Sequence, residues 1–427
     1  MIMNSEQVCF YNAIAYSLIF IYNLFKNKIS LGLIVWGIFT ASAWCTFIFI
    51  QQPMYPTTVH YSEQQLFAYI YLLVIIYLFI SPLFQVKPLA KDQIIITHYD
   101  FIKKYMIFLI IFQTLSILVD LTALKDVLSL NQQNVTAYKD FSYEETTNIP
   151  AYNVPILAQV KGWILAPLSN FNIALALLMY FCWKKDRKIV QLFTITTILD
   201  SLINVLIAVS RGQTFFLILY CAIILFFLYN NINQRQKRLL SIVAITIAIV
   251  IVPFMIVISL GRFGKFDFSF FIYKYFGEAM NNFNGLLFYD IKGYTNGNAY
   301  LLSYINSLLG ISPFETTMEK WEYIERVTKG ISGQYFYTFV GGLVIEFGKI
   351  ITLFIAIIFN FYLKKATHSS SQHNIGYYIL LTFISLFFIK GAFLFPLQGR
   401  DAILTIIALI FFIHYFKVKK NNKQYYN

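Results

Sequence analysis

The stretch QLFAYIYLLVIIYLFISPLFQV, residues 65–86, carries no charged side chain from end to end. A helix of this length rises about 30 Å, which is the thickness of the hydrocarbon core of a bilayer. Similar apolar runs recur along the chain of 427 residues, of which 58% are hydrophobic and only 12% charged. Because soluble proteins carry about 25% charged residues, this composition excludes a soluble domain. The sequence predicts an all-α protein that crosses a membrane many times.

The apolar runs predict about eleven transmembrane helices in one integral membrane domain, residues 1–427. The predicted spans are 8–25, 30–50, 65–86, 105–122, 164–183, 189–210, 213–232, 239–260, 338–363, 374–394 and 400–416. Two segments between spans, 123–163 and 261–335, are too long to be turns. The larger one is rich in aromatic residues, and its stretches 266–290 and 297–314 are expected to form amphipathic helices at the membrane interface.

The positions of lysine and arginine predict the orientation. Every second loop is basic, and these loops are 26–28, 87–104, 184–188, 235–238, 364–365 and the tail 417–423. The positive-inside rule places such loops in the cytoplasm. The N-terminus and both long segments are therefore expected outside, and the C-terminus inside. The net charge of +13 is then mostly cytoplasmic, where it attracts anionic membrane lipids, and nucleic acid binding is not implied.

Several kinds of chemistry lack the residues that they need. Cys9, Cys45, Cys182 and Cys221 lie in or beside apolar segments without CxxC spacing, which predicts neither a disulfide framework nor a metal site. The chain contains no HExxH, no DxD, no P-loop and no GxSxG in a credible context. Metal, nucleotide and serine chemistry are therefore unsupported, and no cofactor is expected.

Three arginines stand beside glycine at the ends of apolar segments. The three sites are AVSRGQT (208–214), SLGRFGK (259–265) and PLQGRDA (396–402). Arg211, Arg262 and Arg400 all fall on the predicted external side, where the positive-inside rule gives no reason for them. A guanidinium group holds phosphate through two parallel hydrogen bonds and stays charged, which favours an anion as the ligand. The alternative is that each arginine snorkels to the lipid headgroups.

Charged residues near the span ends and within the spans allow further interpretations. Lys390 lies near the external end of its span and either joins the arginines or snorkels. Glu346 and Lys349 are three residues apart on one helix and are expected to form an ion pair. Asp200 is expected to be a buried carboxylate with a polar partner. Because His60 is the external histidine, a carboxylate is expected to act wherever the outer face needs a base.

The predicted spans, the two external segments and the arginines of SRGQT, LGRFG and QGRDA together resemble one family. This family is the Wzy-type polymerases of bacterial surface polysaccharides, which join O-antigen or capsule repeat units. The resemblance covers the architecture of the whole chain and rests on these short motifs. It carries over Arg211, Arg262 and Arg400 as the external arginines. The related O-antigen ligases use an external-loop histidine, which the segment 261–335 lacks, so a ligase is the less favoured alternative.

The resemblance implies two substrates, both undecaprenyl diphosphate-linked oligosaccharides, at the outer face of the bacterial cytoplasmic membrane. A sugar hydroxyl attacks the anomeric carbon of the growing chain, and undecaprenyl diphosphate leaves without a cofactor. The arginines would stabilise the leaving group, and a carboxylate of the large loop would take the proton. The candidate bases are Glu278, Asp290 and Glu315. The candidate substrate-binding residues are Arg400, Arg326, Lys390, Gly212 and Gly261, the glycines because they allow close approach of the backbone. A flippase and a chain-length regulator are the expected protein partners.

A transporter or flippase for lipid-linked oligosaccharide is the alternative from another class. It predicts charged residues along a central path and a repeat between the two halves of the chain. The sequence shows few charges within the spans and no visible repeat. The polymerase is therefore favoured over the transporter.

Overall fold

The structure is a computed structural model. It describes residues 4–27, 29–52, 63–89, 96, 98–128, 155–207, 211–238, 240–242, 244–245, 249, 268–367, 375–398, 403, 406–407 and 410. Its main helices are α1 (Ser5–Asn27), α2 (Leu31–Ile50), α3 (Leu66–Ile80), α4 (Tyr99–Leu128), α5 (Pro155–Cys182), α6 (Arg187–Ile207), α7 (Arg211–Leu228), α8 (Phe268–Asn282), α9 (Ser303–Leu308), α10 (Thr317–Thr328), α11 (Phe339–Thr367) and α12 (Ile375–Gly391). A 3₁₀ turn, Ser81–Gln85, extends α3, and a π-helical turn, Phe283–Leu287, extends α8.

The all-α architecture and the multi-pass membrane character are confirmed. Six helices are long and apolar enough to cross a membrane: Ser5–Asn27, Leu31–Ile50, Leu66–Gln85, Tyr99–Thr122, Arg187–Ile207 and Phe339–Thr367. Three shorter apolar helices are Phe171–Cys182, Gly212–Leu228 and Ile375–Gly391. The predicted number of eleven is not confirmed, and the predicted spans 239–260 and 400–416 lie largely outside the described residues.

The chain folds into two compact units, each built from separate stretches of sequence. Unit 1 comprises Met1–Lys87, Asp267–Ser369 and Ser385–Ile403. Unit 2 comprises Pro88–Phe266, Ser370–Ile384 and Leu404–Asn427. Much of the predicted large external segment therefore belongs to the same unit as the first three helices.

In unit 1, α1 and α2 pack antiparallel, and α3 packs parallel to the part of α11 that follows Gly348. The indole Nε1 of Trp36 donates to the carbonyl oxygen of Tyr16 at 3.0 Å, and the two rings stack with centroids 5.1 Å apart. Along the α3–α11 contact, Tyr71 Oη donates to the Lys349 carbonyl oxygen at 2.6 Å. Further on, the Phe79 and Phe359 rings lie 5.1 Å apart. Residue numbers thus rise together along α3 and the part of α11 that follows Gly348. The ring of Phe339, at the start of α11, also lies 5.1 Å from the Phe79 ring, so α11 turns back at Gly348.

Helix α8 packs closely against α2. The Thr46 hydroxyl donates to the Gly277 carbonyl oxygen at 3.0 Å, and a Cβ atom on Gly277 would lie 2.7 Å from the Cys45 backbone. From Ala279 to Phe288 every residue except Leu286 is buried. The helix predicted within 266–290 therefore exists, and its second half is buried and packs against α2. Its position at the membrane interface stays a prediction. The small side chains of α2 at the contact allow this approach.

The second predicted interfacial helix is shorter than the stretch 297–314. It is α9, which covers Ser303–Leu308. Leu308, Leu309 and Ile311 at its end are exposed, as expected for apolar residues that face lipid.

In unit 2, polar side chains join α4 and α6, which run parallel. The hydroxyls of Thr196 and Thr197 donate to Gln113 Oε1 at 3.0 and 3.1 Å. One turn further, Ser116 Oγ donates to Asp200 Oδ1 at 3.0 Å, and Asn204 Nδ2 donates to Asp200 Oδ2 at 3.2 Å. Hydrogen bonds of this kind hold helices together inside a membrane. The expectation of a buried Asp200 with polar partners is confirmed.

Candidate functional site

The candidate site lies in unit 1, beside a break in helix α11. Gly348 has φ 79° and ψ 173°, a backbone conformation that is essentially restricted to glycine. The break frees carbonyl oxygens on the preceding turn from helical hydrogen bonds. Thr295 N–H donates to the Ile345 carbonyl oxygen at 3.0 Å, and Asn296 N–H donates to that of Glu346 at 2.8 Å. The loop around Thr295 is thereby held against the first half of α11.

Glu346 anchors this loop from inside the protein. Its side chain is 0% exposed. One carboxylate oxygen accepts from Thr295 Oγ1 at 2.5 Å, and the other accepts from the backbone N–H groups of Tyr300 and Leu301 at 2.5 and 3.3 Å. A buried carboxylate needs such donors to replace water. Glu346 therefore fixes the position of Tyr300.

The expected ion pair between Glu346 and Lys349 is wrong. The Lys349 ammonium lies over the Phe288 ring, 4.3 Å from its centroid. The non-helical dihedral angles of Gly348, between the two residues, break the spacing that would place both side chains on one helix face. The pairing rule fails here because it assumes an unbroken helix.

The side chain of Lys320, on α10, contacts the ring of Tyr300. Its Nζ donates to Gln398 Oε1 at 2.9 Å and lies 4.5 Å from the centroid of the Tyr300 ring. Burial lowers the pKa of Lys320 to about 8, although the nearby charge of Glu346 acts to raise it. Lysine titrates near 10.4 in water, so a measurable fraction of this side chain is neutral above pH 7.

The segment that follows α12 completes the site. The Phe395 ring packs on the Tyr300 ring with centroids 5.2 Å apart. A Cβ atom on Gly342 would lie 2.6 Å from Phe395, so glycine is needed there for this contact. Gln398 Nε2 donates to the Phe395 carbonyl oxygen at 2.6 Å, which leaves Gln398 Oε1 to accept from Lys320. We call Lys320, Tyr300, Glu346 and Gln398 the Lys320 cluster.

Glu278 of α8 is the acid that the structure separates from the other candidates. It is partly buried, and this burial raises its pKa against the opposing effects of Lys274 and a hydrogen bond from Asn282. The neighbouring Tyr337 has its pKa raised by burial, and the charges of both Tyr300 and Glu278 add to that effect. Tyr337 therefore lies within electrostatic range of both Glu278 and the Lys320 cluster.

The other two candidate acids lie on the surface. Asp290 is exposed just after the π-helical turn, and Glu315 is exposed before α10. The backbone N–H of Glu315 donates to Glu319 Oε2 at 2.7 Å, while Glu319 N–H donates to Thr316 Oγ1 at 3.1 Å. This reciprocal pattern caps the start of α10, which is a structural role.

The predicted substrate-binding residues are placed separately. Arg326 is exposed on the last turn of α10, its guanidinium carbon 5.9 Å from the centroid of the Tyr323 ring, and it is not part of the Lys320 cluster. Lys390 is partly buried on the last turn of α12. A Cβ atom on Gly212 of α7 would meet only the Phe216 ring, at 3.9 Å, so its described surroundings leave room for a side chain.

The arginine hypothesis lies mostly outside the described residues. Helix α7 begins at Arg211, and the Arg211 side chain lies outside the described part of the structure. Gly261, Arg262 and Arg400 lie outside the described residues altogether. The convergence of these arginines on one anion stays a prediction.

Within the described part of the chain, no group of three or more His, Cys, Asp or Glu side chains is placed to hold a metal ion. All four cysteines are free thiols. The Lys320 cluster instead brings together an ammonium, an amide, a phenol and a carboxylate. Such a set can bind an anion and move a proton.

Sequence reasoning missed the Lys320 cluster. Lys320 looks like one of several charged residues on a polar helix, and Gln398 was overlooked although it precedes Arg400 by two residues. Lys320 and Gln398 are 78 residues apart, so no local spacing signals their contact.

No protein-family model matches the chain, and neither a curated protein nor a solved structure matches it. What the chain shares with known proteins is the general character of a multi-pass helical membrane protein. Its function is therefore inferred from its side chains.

Proposed function

We propose that the protein is a polymerase of surface polysaccharide repeat units at the outer face of a bacterial cytoplasmic membrane. It would transfer a growing glycan from undecaprenyl diphosphate to the next lipid-linked repeat unit. The proposal combines the resemblance of the arginine motifs with the chemistry of the Lys320 cluster and Glu278.

The position of the cluster along the chain supports an external site. Glu278, Tyr300 and Lys320 all belong to the segment 261–335, which the alternation of basic loops assigns to the outside. Lipid-linked oligosaccharides that have crossed the membrane present their sugars on this side. The site and the substrate would therefore meet on the same face.

The observation that carries the proposal is the position of Glu278 on α8, partly buried beside Gly277, which packs against α2, where burial raises the pKa of its carboxylate. Burial makes this carboxylate more basic than an exposed glutamate. A general base works best when its pKa approaches the working pH. Glu278 is therefore better suited to accept a hydroxyl proton than Asp290 or Glu315, which are exposed.

In the proposed reaction, a sugar hydroxyl of the incoming repeat unit attacks the anomeric carbon of the growing chain. The proton of the hydroxyl passes to Glu278 as the new glycosidic bond forms. The bond between the anomeric carbon and the diphosphate oxygen breaks, and undecaprenyl diphosphate leaves with the electron pair. Arg211 and Arg262 would stabilise the charge that develops on the diphosphate, which favours the transition state over the ground state.

Substitution of the proposed groups tests the function. Arg211→Ala, Arg262→Ala and Glu278→Gln are each expected to abolish long-chain polymer in cells while the protein still reaches the membrane. Loss of a general base typically lowers a rate by about 10²–10⁴-fold. Glu322→Gln, an exposed acid on α10, is the matched control and is expected to leave polymer length unchanged.

The length of the glycan on the lipid carrier separates a polymerase from a ligase. Deletion of a polymerase leaves a single repeat unit transferred to its acceptor, whereas deletion of a ligase leaves long glycan on the carrier. Normal polymer in both arginine variants would overturn the proposed role of the arginines.

A transporter remains the second candidate because of two buried acids in unit 2. Asp120 is 0% exposed and Asp200 is 3% exposed, and Ser116 Oγ lies 3.3 Å from Asp120 Oδ2 and 3.0 Å from Asp200 Oδ1, so its one hydrogen can be donated to either. Carboxylates buried within membrane spans often belong to ion or proton pathways. Accumulation of lipid-linked substrate on the cytoplasmic side in an Asp120→Asn and Asp200→Asn double variant would favour transport over polymerisation.

A further inference from the structure

Lys320 holds a partly buried positive charge with few partners. Its ammonium group can donate three hydrogen bonds, and among the described residues it donates one, to Gln398 Oε1 at 2.9 Å. The Tyr300 ring faces it at 4.5 Å and provides a cation–π contact. Among the described residues, no carboxylate oxygen lies within 4 Å of the Lys320 ammonium. The ion pair found among those residues joins Lys103 and Asp186, away from this cluster.

The nearest counter-charge does not balance this cation. Glu346 is close enough to raise the pKa of Lys320, yet burial outweighs it and the net shift is downward. The Glu346 oxygens are already engaged by Thr295 and by the backbone N–H groups of Tyr300 and Leu301. An ammonium removed from water without a matching anion is destabilised. The site therefore gains stability when an external anion supplies the missing charge.

The groups around Lys320 are fixed in place before any ligand arrives. Glu346 holds the backbone of Tyr300, the Phe395 ring packs on the Tyr300 ring, and Gln398 is oriented by its own bond to the Phe395 carbonyl oxygen. A preorganised cation costs little to bring to its ligand.

We propose that the Lys320 cluster binds an anionic oxygen group of the substrate, with Lys320 as its charge-bearing ligand and Tyr300 and Gln398 as the residues that position it. The anionic group is either a phosphate of the lipid diphosphate or a carboxylate carried by a sugar. The identity of the substrate rests on the proposed function. The affinity for an anion does not, so it can be measured separately.

Proton uptake is the signature of this site. A bound anion raises the pKa of Lys320, which is about 8 without a ligand. At pH 8.5 a lysine of that pKa is mostly neutral, so Lys320 takes up roughly half a proton or more on binding, whereas its own uptake at pH 6 is close to zero. The titratable groups that face Lys320 are Glu346 and Tyr300, and burial raises the pKa of Tyr300 further above this pH range.

The experiment is calorimetric titration of the purified full-length protein in lipid nanodiscs. Inorganic pyrophosphate and glucuronate are titrated separately, each in two buffers of different ionisation enthalpy, at pH 6 and at pH 8.5. Tighter binding of pyrophosphate assigns the site to the diphosphate, and tighter binding of glucuronate assigns it to an acidic sugar. Because pyrophosphate itself titrates in this pH range, the expected result is that the wild-type protein takes up more protons at pH 8.5 than Lys320→Arg does, with whichever anion binds.

Two substitutions of Lys320 separate the affinity for the anion from the proton uptake. Lys320→Gln is expected to weaken binding by about tenfold or more, because the charged donor is lost. Lys320→Arg is expected to bind with less proton uptake than the wild type, since a guanidinium group stays protonated at pH 8.5 and any remaining uptake belongs to the anion itself. Lys329→Gln, an exposed lysine after α10, is the matched control and binds like the wild type.

Three results would overturn the proposal: no binding of either anion, equal binding by wild type and Lys320→Gln, or equal proton uptake by wild type and Lys320→Arg at pH 8.5. If Lys320→Gln does not fold, the difference in proton uptake between wild type and Lys320→Arg still decides. The Glu278→Gln protein is expected to bind the anion normally while it makes no polymer. Failure of the polymerase reaction is thus distinguishable from failure of the anion site.

Discussion

At the scale of single residues, Glu346, Lys320 and Glu278 are all ionisable groups withdrawn from water, and their surroundings differ. Glu346 is fully supplied with donors. Lys320 makes one hydrogen bond and one contact with an aromatic ring, and burial raises the pKa of Glu278. The satisfied group is structural, whereas the two less satisfied groups are available for a ligand and for a proton.

Glu346 is expected to be essential for the stability of unit 1. Glu346→Ala leaves the Tyr300 N–H buried without its acceptor, at about 1–3 kcal/mol, and leaves the Thr295 hydroxyl only a long hydrogen bond of 3.4 Å to the Ile345 carbonyl oxygen. Glu346→Gln is expected to cost less, because the amide keeps one acceptor oxygen and the Thr295 hydroxyl can rotate to accept from its NH₂ group. Thermal unfolding of the solubilised protein measures both. The exposed Glu322→Ala serves as control and is expected to change stability by less than about 0.5 kcal/mol.

Glu278 is expected to govern the acidic limb of the pH–rate profile. A base must be deprotonated to act, so a raised pKa moves the loss of activity to a higher pH than the ordinary 4.5 of glutamate. The same shift has a consequence for stability. The contribution of a group whose folded pKa is raised is present below its unfolded pKa and is lost as the pH rises through the folded pKa.

Glu278→Gln is therefore expected to be more stable than the wild type at pH 7, although it is inactive. Thermal unfolding at pH 4 and pH 7 measures this difference, which should narrow at the lower pH. A Glu278→Gln protein that is less stable than wild type at pH 7 would contradict the proposed desolvation of Glu278.

At the scale of elements, two helices depart from simple transmembrane geometry, and both support the site. Helix α11 is broken at Gly348, and the loop that carries Tyr300 donates hydrogen bonds to the carbonyl oxygens that the break frees. Helix α8 is buried against α2, which draws Glu278 away from water. Broken helices in membrane proteins are tolerated where other groups satisfy their freed carbonyls.

Gly348→Ala is expected to destabilise the protein and to displace the Tyr300 loop. The added Cβ atom would lie 2.7 Å from the Tyr294 ring, and the backbone has φ 79°. Such strain costs about 1–3 kcal/mol. Gly310→Ala is a matched control, since Gly310 also has a positive φ, 68°, but nothing within 4 Å. If both variants lose the same stability, the close contact with Tyr294 does not contribute.

Gly277→Ala is expected to push α8 away from α2. Its Cβ atom would lie 2.7 Å from backbone atoms of Cys45, which cannot move without shifting the helix. Overpacking of this kind costs about 1–3 kcal/mol. Gly212→Ala, whose Cβ atom would meet only a ring carbon at 3.9 Å, is expected to be neutral or stabilising by thermal unfolding. A neutral Gly277→Ala would contradict the close packing.

At the scale of the whole molecule, the directions of the helices constrain the number of crossings. Helix α3 and the part of α11 after Gly348 run parallel within unit 1, so an odd number of crossings must separate them along the chain. Helices α4 to α7, if each crosses once, give an even number. One more crossing between α7 and α11 is therefore expected, and the apolar run 239–260 is long enough to supply it.

Cysteine labelling in intact cells tests this topology. In a variant without the four native cysteines, Glu322→Cys is expected to react with an impermeant maleimide from outside. Gln234→Cys, before the run 239–260, and Lys184→Cys are expected to react only after the cells are opened. All three residues are exposed. Labelling of Gln234→Cys and Glu322→Cys from the same side would remove the crossing and invalidate the external placement of the Lys320 cluster.

The sequence by itself determined the class of protein, because the hydrophobic length of a span and the charge of a loop are local properties. It predicted α1, α2, α3, α6 and α11 close to their observed positions, and it correctly expected a polar partner for Asp200. It could not rank Glu278 above Asp290 or Glu315, since the difference is burial, which depends on what packs against each residue.

Only the tertiary structure brought Lys320, Tyr300, Glu346 and Gln398 together. Thr295 and Tyr300 precede Glu346 by 51 and 46 residues, and Lys320 precedes Gln398 by 78. It also broke α11 at a glycine that a hydropathy pattern reads as one more helical residue, and so separated Glu346 from Lys349. The physical reason is common to all of these: partners of buried polar groups are chosen by contact across helices, and contact across helices leaves no periodic trace in the sequence.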